Sequence, residues 1–579
     1  MNKSWKKGFT AVLLGSLMIQ GGLPVFAADA PAVVSVPTSN YGLTQDIRAA
    51  VKSISVETTA QGLQLSAVVR LYNGGTEQNR VPEHELRLHT TDGLEYTLKP
   101  SAGNKTSLQP REVSELIYMV VIDSKDQLKV DQLSFVDVDL YTYPKKETYL
   151  LNIPVSSQVW YKTGGNFGVQ SDSLAWGQAF TIPGVNSSIT YTPVSMSEQT
   201  AQEGPVKVVT LLAENPGYGR ETIPGFVVDA IADQKLYEGK RAQTDATALE
   251  PGEKQYLHFT IPVETGATIK NLLVATTDNF VPSVPAGTVA QPTVVSSGKL
   301  TITAPEGKQT DALPTTSYLI GTPIAFDPLT KVIDAKTQVS IVELHLHENP
   351  ESGYKTAVAK FRLTNTSDVP VPMPDFQTQL TGGNGVTYSG TRQTNVSPTL
   401  DPGLSYVVSY SFNLPQTENG ENLAVKVLDA KAAAPYTTTI AALQTAAQNE
   451  DPKADTFSLY PYDVKMNDYN VSYTTMVGNP ITYTYKLNVD MDIKQKENVV
   501  VDANFSKLRF EIVDSQGRIL GSTDASFTGS NKLISGKQTI DASNVKSDQF
   551  NYPITVNMYE VVQTPNGEAK RLLKTFQQG

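Results

Sequence analysis

The sequence contains no cysteine. This absence excludes disulfide bonds, cysteine nucleophiles, thiolate zinc sites and cysteine-linked lipids. Each folded domain must therefore bury enough apolar surface to be stable without covalent cross-links. Tryptophan and histidine are scarce, with three and five residues respectively, so sites built from an indole or imidazole ring have few candidates.

Motifs of the common enzyme classes are also absent. The chain has no GxSxG nucleophile elbow, no HExxH zinc motif, no phosphate-binding loop and no dinucleotide-binding glycine motif. Positive charge is in deficit, with 47 Lys and Arg against 58 Asp and Glu. Because an acidic chain repels phosphates, we expect no nucleic acid among its partners.

The N-terminus has the pattern of a secretory signal peptide. Lys3, Lys6 and Lys7 precede an apolar run, and small residues surround Ala27. The run is broken before it reaches the ~20 residues that a membrane span needs, although an uncleaved anchor is the alternative. We expect residues 1–27 to be removed, which changes the net charge from −11 to about −14, and we expect no integral membrane segment after cleavage.

Three stretches of the chain repeat the same landmarks. A strand-like run ends in Asn; a Pro follows nine residues later, a Tyr 22 or 23 residues later, and a second Pro 36 or 37 residues later. The three sets are Asn73, Pro82, Tyr96 and Pro110; Asn215, Pro224, Tyr237 and Pro251; and Asn365, Pro374, Tyr388 and Pro402. A weaker fourth copy begins with a run ending at Asn488 and lacks the first Pro. Such matched spacing indicates internal duplication.

The Asn and the first Pro of each set have chemistry suited to a change of strand. Asn hydrogen-bonds nearby backbone and tolerates left-handed φ, so it suits the point where a strand becomes a loop. Pro has no amide hydrogen and suits the first residue of an edge strand. We therefore predict that Asn73, Asn215 and Asn365 are structural and do not bind a ligand.

Period-two alternation dominates each repeat and predicts an all-β chain. Along residues 358–363, successive side chains face opposite sides. Seven or eight short strands per ~120 residues indicate a tandem array of about four antiparallel immunoglobulin-like β-sandwich domains, with barrels as the alternative. An alanine-rich stretch around Leu443 predicts a short helix or a linker. The predicted domains are residues 31–155, 172–305, 315–445 and, for the divergent fourth copy, 455–579.

Three polar residues form the candidate metal site. In VSIVELHLHENP, alternation places Glu343, His345 and His347 on one strand face. One carboxylate and two imidazoles at this spacing can bind one metal ion, so metal binding is one hypothesis. The simpler interpretation is that these residues face solvent while the intervening apolar residues face the core. Those apolar residues are Val342, Leu344 and Leu346.

Aromatic residues form the other candidate site. Trp160 and Tyr161 lie at the end of the first repeat, and Trp176 lies at the start of the second. Exposed aromatic rings stack on sugars, so these residues are candidate ligand-binding residues. The alternative, which we favour, is that they seal the contact between the first two domains.

The turns and strands of the repeats resemble a known class of domain. Each repeat has a Gly-bearing first strand (YGLTQDI, WGQAFTI, LIGTPIAF), a strand ending in Asn, a central turn such as TDGLEY, and a late turn containing LxP. These features resemble the immunoglobulin-like sandwich domains of uncharacterised secreted Gram-positive cell-envelope proteins. The resemblance implies action at the cell surface or in the wall. It supplies no catalytic residues.

We therefore predict an exported, non-enzymatic protein of the cell envelope or medium that acts as a scaffold, spacer or adhesion protein and needs no cofactor. Its expected partners are a cell-wall polymer, a glycan or another envelope protein. The alternatives are a polysaccharide-binding accessory protein or glycan-active enzyme, and a metal-binding surface protein. We expect each domain to close its own core, leaving no cavity shared between domains.

Overall fold

The computed structural model describes residues 39–578, with gaps at 60, 125, 127, 164–165, 168–172, 233–234, 244–246, 286–287, 306–312, 350–352, 450, 452–453, 479–480, 503, 530–531 and 548–551. The signal-peptide prediction lies outside these residues. Within them the regular secondary structure is β-strand throughout, so the all-β prediction is confirmed. The described residues include no helix with the length and apolar character to cross a bilayer.

Four large hydrophobic clusters follow one another along the chain. Their buried members lie within residues 43–159, 174–304, 324–443 and 457–576. We name the surrounding stretches segment 1 (residues 39–167), segment 2 (173–305), segment 3 (313–449) and segment 4 (451–578). Each cluster is built from one segment, so the core of each segment forms from residues close in sequence.

Segments 1 and 2 contain the first half of the strands. The strands described in segment 1 are β1 (Tyr41–Gly42), β2 (Ile47–Thr59), β3 (Gly62–Asn73), β4 (Asn79–Arg80), β5 (Glu85–Thr90), β6 (Glu95–Pro100), β7 (Ser107–Leu108), β8 (Val113–Ile122), β9 (Val130–Asp139), β10 (Lys146–Pro154), β11 (Val159–Thr163) and β12 (Asn166–Phe167). Those in segment 2 are β13 (Phe180–Thr181), β14 (Thr190–Ala201), β15 (Gly204–Glu214), β16 (Glu221–Thr222), β17 (Val227–Ala232), β18 (Lys235–Tyr237), β19 (Lys240–Arg241), β20 (Ala248–Leu249), β21 (Lys254–Pro262), β22 (Asn271–Phe280) and β23 (Thr293–Thr303).

Segments 3 and 4 contain the second half. The strands described in segment 3 are β24 (Thr316–Ser317), β25 (Thr337–Asn349), β26 (Tyr354–Asn365), β27 (Val371–Pro372), β28 (Gln377–Thr381), β29 (Thr387–Ser389), β30 (Thr391–Arg392), β31 (Thr399–Leu400), β32 (Ser405–Pro415), β33 (Leu423–Ala433) and β34 (Tyr436–Thr445). Those in segment 4 are β35 (Thr456–Leu459), β36 (Tyr462–Met476), β37 (Thr482–Gln495), β38 (Val499–Val500), β39 (Lys507–Val513), β40 (Ile519–Ala525), β41 (Gly536–Ser547), β42 (Ile554–Thr564) and β43 (Gly567–Gln578).

Most neighbouring strands of the larger sheets are antiparallel, but β11 with β2 and β24 with β34 pair in parallel. Segment 2 has the sheets β13-β14-β15-β21-β19 and β18-β17-β22-β23, and segment 1 forms one path, β10-β9-β5-β6-β8-β3-β2-β11-β12. In segment 3, β24-β34-β33-β28-β29 faces a sheet containing β30-β32-β26-β25. The predicted helix around Leu443 is wrong, because this stretch belongs to β34 and pairs with β33.

One sheet continues from segment 3 into segment 4. Its order is β30-β32-β26-β25-β43-β42-β39-β40, and β25 meets β43 where Glu348 faces Lys570. A second link is the parallel pairing of β32 with β38. These two segments are therefore joined through backbone pairing as well as through side chains.

The three landmark asparagines occupy the same structural position. The side-chain amide of Asn365, which is fully buried, donates to the carbonyls of Val369 at 2.8 Å and Leu400 at 2.9 Å, while its Oδ1 accepts from the Ser367 amide at 2.9 Å. Asn73 and Asn215 make the equivalent bonds four residues ahead and across to the late turn. Their predicted structural role is confirmed.

Two details of the repeat prediction are wrong. The first Pro of each set stands three residues before its strand, since β5, β17 and β28 begin at Glu85, Val227 and Gln377. Asn488 does not end a strand either. It lies within β37, and its side chain bonds Ser472 and Thr539 on the neighbouring strands. The β-branched Val489 follows Asn488 directly, and the strand continues to Gln495.

Candidate functional site

The predicted metal residues lie on one face of β25, but that face is buried. Glu343, His345 and His347 are 2%, 3% and 1% exposed. Segment 4 covers them, so the interpretation that they face solvent is wrong. Val342 also lies on this side and packs with Tyr460, because a β-bulge between Ile341 and Glu343 shifts the alternation.

A lysine lies at the centre of this buried face. Lys360 on β26 places its ammonium 2.7 Å from a carboxylate oxygen of Glu343 and 2.7 Å from one of Glu560 on β42. Arg571 and Ser506 also bind Glu560, at 2.6 Å and 2.7 Å. We call these residues, together with His345 and His347, the buried ion cluster.

The charge state of the buried ion cluster follows from these contacts. Burial alone would lower the pKa of Lys360, but the two carboxylates outweigh it and raise the pKa above its usual range. Burial opposes ionisation of Glu560, yet Lys360 and Arg571 hold its pKa well below the usual range. Lys360 and Glu560 are thus held in their charged forms, and the Lys360 ammonium bridges Glu560 and Glu343.

This geometry does not favour a metal ion. The Lys360 ammonium occupies the place between the carboxylates, and the other oxygen of Glu343 accepts the Tyr460 amide at 2.6 Å. His345 Nδ1 lies 3.0 Å from the Gln448 carbonyl. Across the described ranges, no group of three or more His, Asp or Glu residues is arranged to hold a metal.

Acidification is expected to weaken the packing of segments 3 and 4. Burial lowers the pKa of His345 to about 4, whereas the unfolded chain takes up a proton near the ordinary pKa of 6.5. The unfolded state therefore binds more protons between these values, and the free energy of unfolding falls as pH drops from about 6.5 to 4. We expect lower urea midpoints at pH 5 than at pH 7.5, and a smaller difference for His345→Asn, which keeps a donor for Gln448. Equal pH dependence of the two proteins would count against this assignment.

The predicted sugar platform is not assembled. Trp160 is 6% exposed and packs against Ile231, Leu273 and Ala275 of segment 2, so it seals the contact between the first two segments. The Tyr161 hydroxyl accepts a hydrogen bond from a backbone amide of its own segment. Trp176 packs partly buried against the segment 2 core. Stacking on a sugar needs an exposed ring face that Trp160 lacks.

The same interface between segments 1 and 2 buries an acid whose replacement should stabilise the protein. Asp229 on β17 is 5% exposed and accepts the Gly239 amide at 2.9 Å. Burial raises its pKa to about 6, so this group favours the folded state at low pH and opposes it above about pH 6.

We expect Asp229→Asn to raise the free energy of unfolding at pH 8 by at most about 3 kcal/mol, with little effect at pH 4. The exposed Asp137→Asn is the control, with less than ~0.5 kcal/mol of change at either pH. Urea melts at both pH values give the comparison. A destabilising effect of Asp229→Asn at pH 8 would contradict the assignment.

A cleft of about 1060 Å³ lies between segments 2 and 3. One wall is the outer face of β14, β15 and β21; the other is formed by β28, β29, β33 and β34, with residues 327–334 alongside. The expectation that no cavity is shared between domains is therefore wrong. Twisted sheets that face each other meet at a few points and leave space between them.

Three contacts bridge the cleft. The Gln199 side chain donates to the Thr437 carbonyl at 2.6 Å and accepts from the Thr437 amide at 3.0 Å. Gln243 donates to a segment 3 carbonyl at 3.3 Å, and the Tyr256 hydroxyl donates to Asp327 at 2.6 Å. These protein contacts fix the position of one wall relative to the other.

One imidazole lies on the cleft wall. His258 on β21 is 4% exposed and its Nδ1 lies 3.0 Å from the Thr210 hydroxyl oxygen. Burial lowers its pKa to about 4, so the ring is neutral at pH 7. A neutral ring offers hydrogen bonding without charge.

Sequence reasoning missed the cleft. A signal exists in the run TYTPVSMSEQTA, where Ser195, Ser197 and Gln199 make the outer side of β14 polar. Polar outer faces are common on sandwiches. Nothing in a single sequence states that two such faces oppose each other.

Comparisons with known proteins give little further information. No family model matches the chain, and no curated protein is similar to it. Among solved structures, the chain is similar to dimeric latent PorU from Porphyromonas gingivalis, with 10% identity and a TM-score of 0.14. The match covers 68% of this chain and 34% of that chain. A likeness at this score carries no argument about fold or function.

Proposed function

We propose that this chain is an exported, non-enzymatic protein of the cell envelope or extracellular medium, in which four immunoglobulin-like sandwiches in series form a stiff scaffold that binds a partner. The observation that carries the proposal is the buried ion cluster between segments 3 and 4. Domains joined by a flexible linker change their relative orientation, so charged side chains between them stay in water. In a scaffold of fixed geometry, buried ion pairs between two domains hold those domains in one relative orientation.

Contacts between the other segments support the same proposal. Lys52 of segment 1 pairs with Asp278 of segment 2 at 3.3 Å, and also with Glu115 of its own segment at 2.6 Å. Phe280 and Val295 of segment 2 pack with Val68 and Met119 of segment 1 in a separate apolar cluster. Segments 2 and 3 are bridged across the cleft. Each pair of neighbouring segments is thus joined by several contacts, which resist rotation of one segment relative to the other.

Acid groups of the cleft support a non-catalytic role. Asp327 accepts from Tyr256 and from the Leu329 amide at 2.9 Å, and Asp429 accepts the amides of Lys431 and Ala432 at 2.7 and 3.1 Å. Both carboxylates are thus engaged by donors of the protein itself, whereas a general acid or base must reach the reacting group of a substrate. The cleft is better suited to holding a molecule than to transforming it.

The proposal is tested in the producing cells. Fractionation into cytoplasm, membrane, wall and medium, combined with crosslinking, should place the processed protein in the wall or medium beside a wall polymer, a glycan or an envelope protein. Intact-mass measurement should show loss of residues 1–27. An unprocessed protein confined to the cytoplasm would contradict the proposal.

A further inference from the structure

We infer that the cleft between segments 2 and 3 is a binding site for a neutral, hydroxyl-rich ligand of the oligosaccharide class. This inference rests on the proposed binding role and specifies its ligand. The cleft volume of about 1060 Å³ lies at the upper end of the ~300–1,000 Å³ range of small-molecule sites. That volume suits several linked sugar rings.

Uncharged hydrogen-bonding groups lie on both walls, beside a smaller number of acids and lysines. Hydroxyls and side-chain amides both donate and accept hydrogen bonds, as do the hydroxyls of a sugar. A sugar can therefore form hydrogen bonds to either wall in several different positions along the cleft. These wall hydroxyls belong to Ser195, Ser197, Thr387, Ser389 and Thr439.

One hydroxyl on the cleft wall lacks a partner within the protein. Thr330 Oγ1 is shielded from bulk solvent and makes no hydrogen bond to the described residues. Shielded polar groups are normally paired, and an exception calls for an explanation. A ligand hydroxyl seated beside Thr330 supplies the missing partner.

The charges of the cleft favour a neutral ligand. Asp375 lies 2.8 Å from Arg392 and 3.4 Å from Lys431. Asp327 and Asp429 are occupied by the bonds described above, and His258 is neutral. Glu198, Asp334, Lys331 and Lys426 also line the cleft, so the walls carry charges of both signs and present no patch of a single sign to an ionic ligand.

The walls do not favour a polypeptide in extended form. Peptides that bind sheets usually add a strand to an exposed edge, where main-chain groups are unpaired. In the cleft, β15 lies between β14 and β21, and β33 lies between β34 and β28. Their main-chain groups are used within the sheets, so the walls offer mainly side chains. The half-buried ring of Tyr256 adds apolar surface against which sugar C–H groups can pack.

Calorimetric titration of the full chain with cellotetraose, xylotetraose, maltotetraose and chitotetraose tests the inference. We expect at least one of these to bind, and we expect Ser197→Trp and Ser389→Trp to weaken that binding at least tenfold by filling the cleft from opposite walls. The control is Ser472→Trp, a half-buried serine on a strand of segment 4 away from the cleft, which should leave affinity unchanged. Thr330→Val should weaken binding several-fold.

Two results would overturn the inference: no binding of any of the four sugars, or binding that both cleft variants leave unchanged. Capture of an unstructured polypeptide such as casein, with no sugar binding, would also overturn it. Circular dichroism confirms that the variants fold, and Ser389, being exposed, tolerates Trp if Ser197 does not. These measurements use purified protein, so a negative result contradicts only the sugar-binding inference. The cellular location and the scaffold role are tested separately by fractionation.

Discussion

Lys360→Met is expected to lower the free energy of unfolding by about 3–5 kcal/mol, the usual loss when one partner of a buried ion pair is removed. The substitution keeps the side-chain length but leaves Glu343 and Glu560 facing each other without the ammonium between them. We expect the loss to appear as earlier unfolding of segments 3 and 4 in urea, because the cluster lies between them.

The matched control is Lys207→Met. Lys207 is similarly buried, but its partner Glu198 is about half exposed and can return to water when the lysine is removed. We therefore expect a loss below ~1 kcal/mol. Adding Glu343→Gln to Lys360→Met should recover part of the larger loss, because the amide keeps an acceptor for Tyr460 without a charge. Similar losses for the two lysines would contradict the importance given to the cluster.

Asn365→Ala is expected to destabilise segment 3 by about 3–4 kcal/mol. The change leaves the buried carbonyl of Leu400 without its partner, which costs about 1–3 kcal/mol, and it removes the part-buried bonds to the Val369 carbonyl and the Ser367 amide, each worth about 1 kcal/mol. Thermal and urea melts of the full chain give the measurement, with hydrogen exchange in β26 and β31 locating the loss.

Asn488→Ala serves as its control. Asn488 aligns with Asn365 in the sequence pattern, but it is half-buried within β37 and bonds only side chains in the described contacts. We expect Asn488→Ala to lower the free energy of unfolding by less than ~1 kcal/mol. If the two asparagine variants lose the same stability, the structural distinction between the third and fourth copies is wrong.

Local patterns made much of the fold predictable. Alternation along residues 358–363 placed Lys360 and Phe361 on opposite faces of a strand, and in the structure Phe361 lies in the core while Lys360 lies on the other face. The three asparagines were predictable because an Asn at a strand end bonds backbone only a few residues away. The alanine-rich stretch around Leu443 misled the prediction, because pairing with β33 outweighs the helical preference of alanine.

The sequence did not predict which part of the chain packs over a given strand face. Glu343, His345 and His347 suggested a solvent-facing or metal-binding surface because charged side chains are usually exposed. Their burial depends on Glu560, which lies 200 residues beyond Lys360 in the chain. The bulge that moves Val342 to the outer side has no local sequence signal. The cleft likewise depends on how segments 2 and 3 meet, which a single sequence does not encode in any local pattern.

The central claim is that the segments are held in fixed relation by their buried contacts. Because the chain has no cysteine, spin labels can be placed without background at Tyr218, Val386 and Ile519, which are exposed positions in segments 2, 3 and 4. Double electron–electron resonance on the Tyr218→Cys/Val386→Cys and Val386→Cys/Ile519→Cys pairs is the most direct test. We predict one narrow distance distribution for each pair. Broad distributions, as expected of freely hinged domains, would contradict the claim.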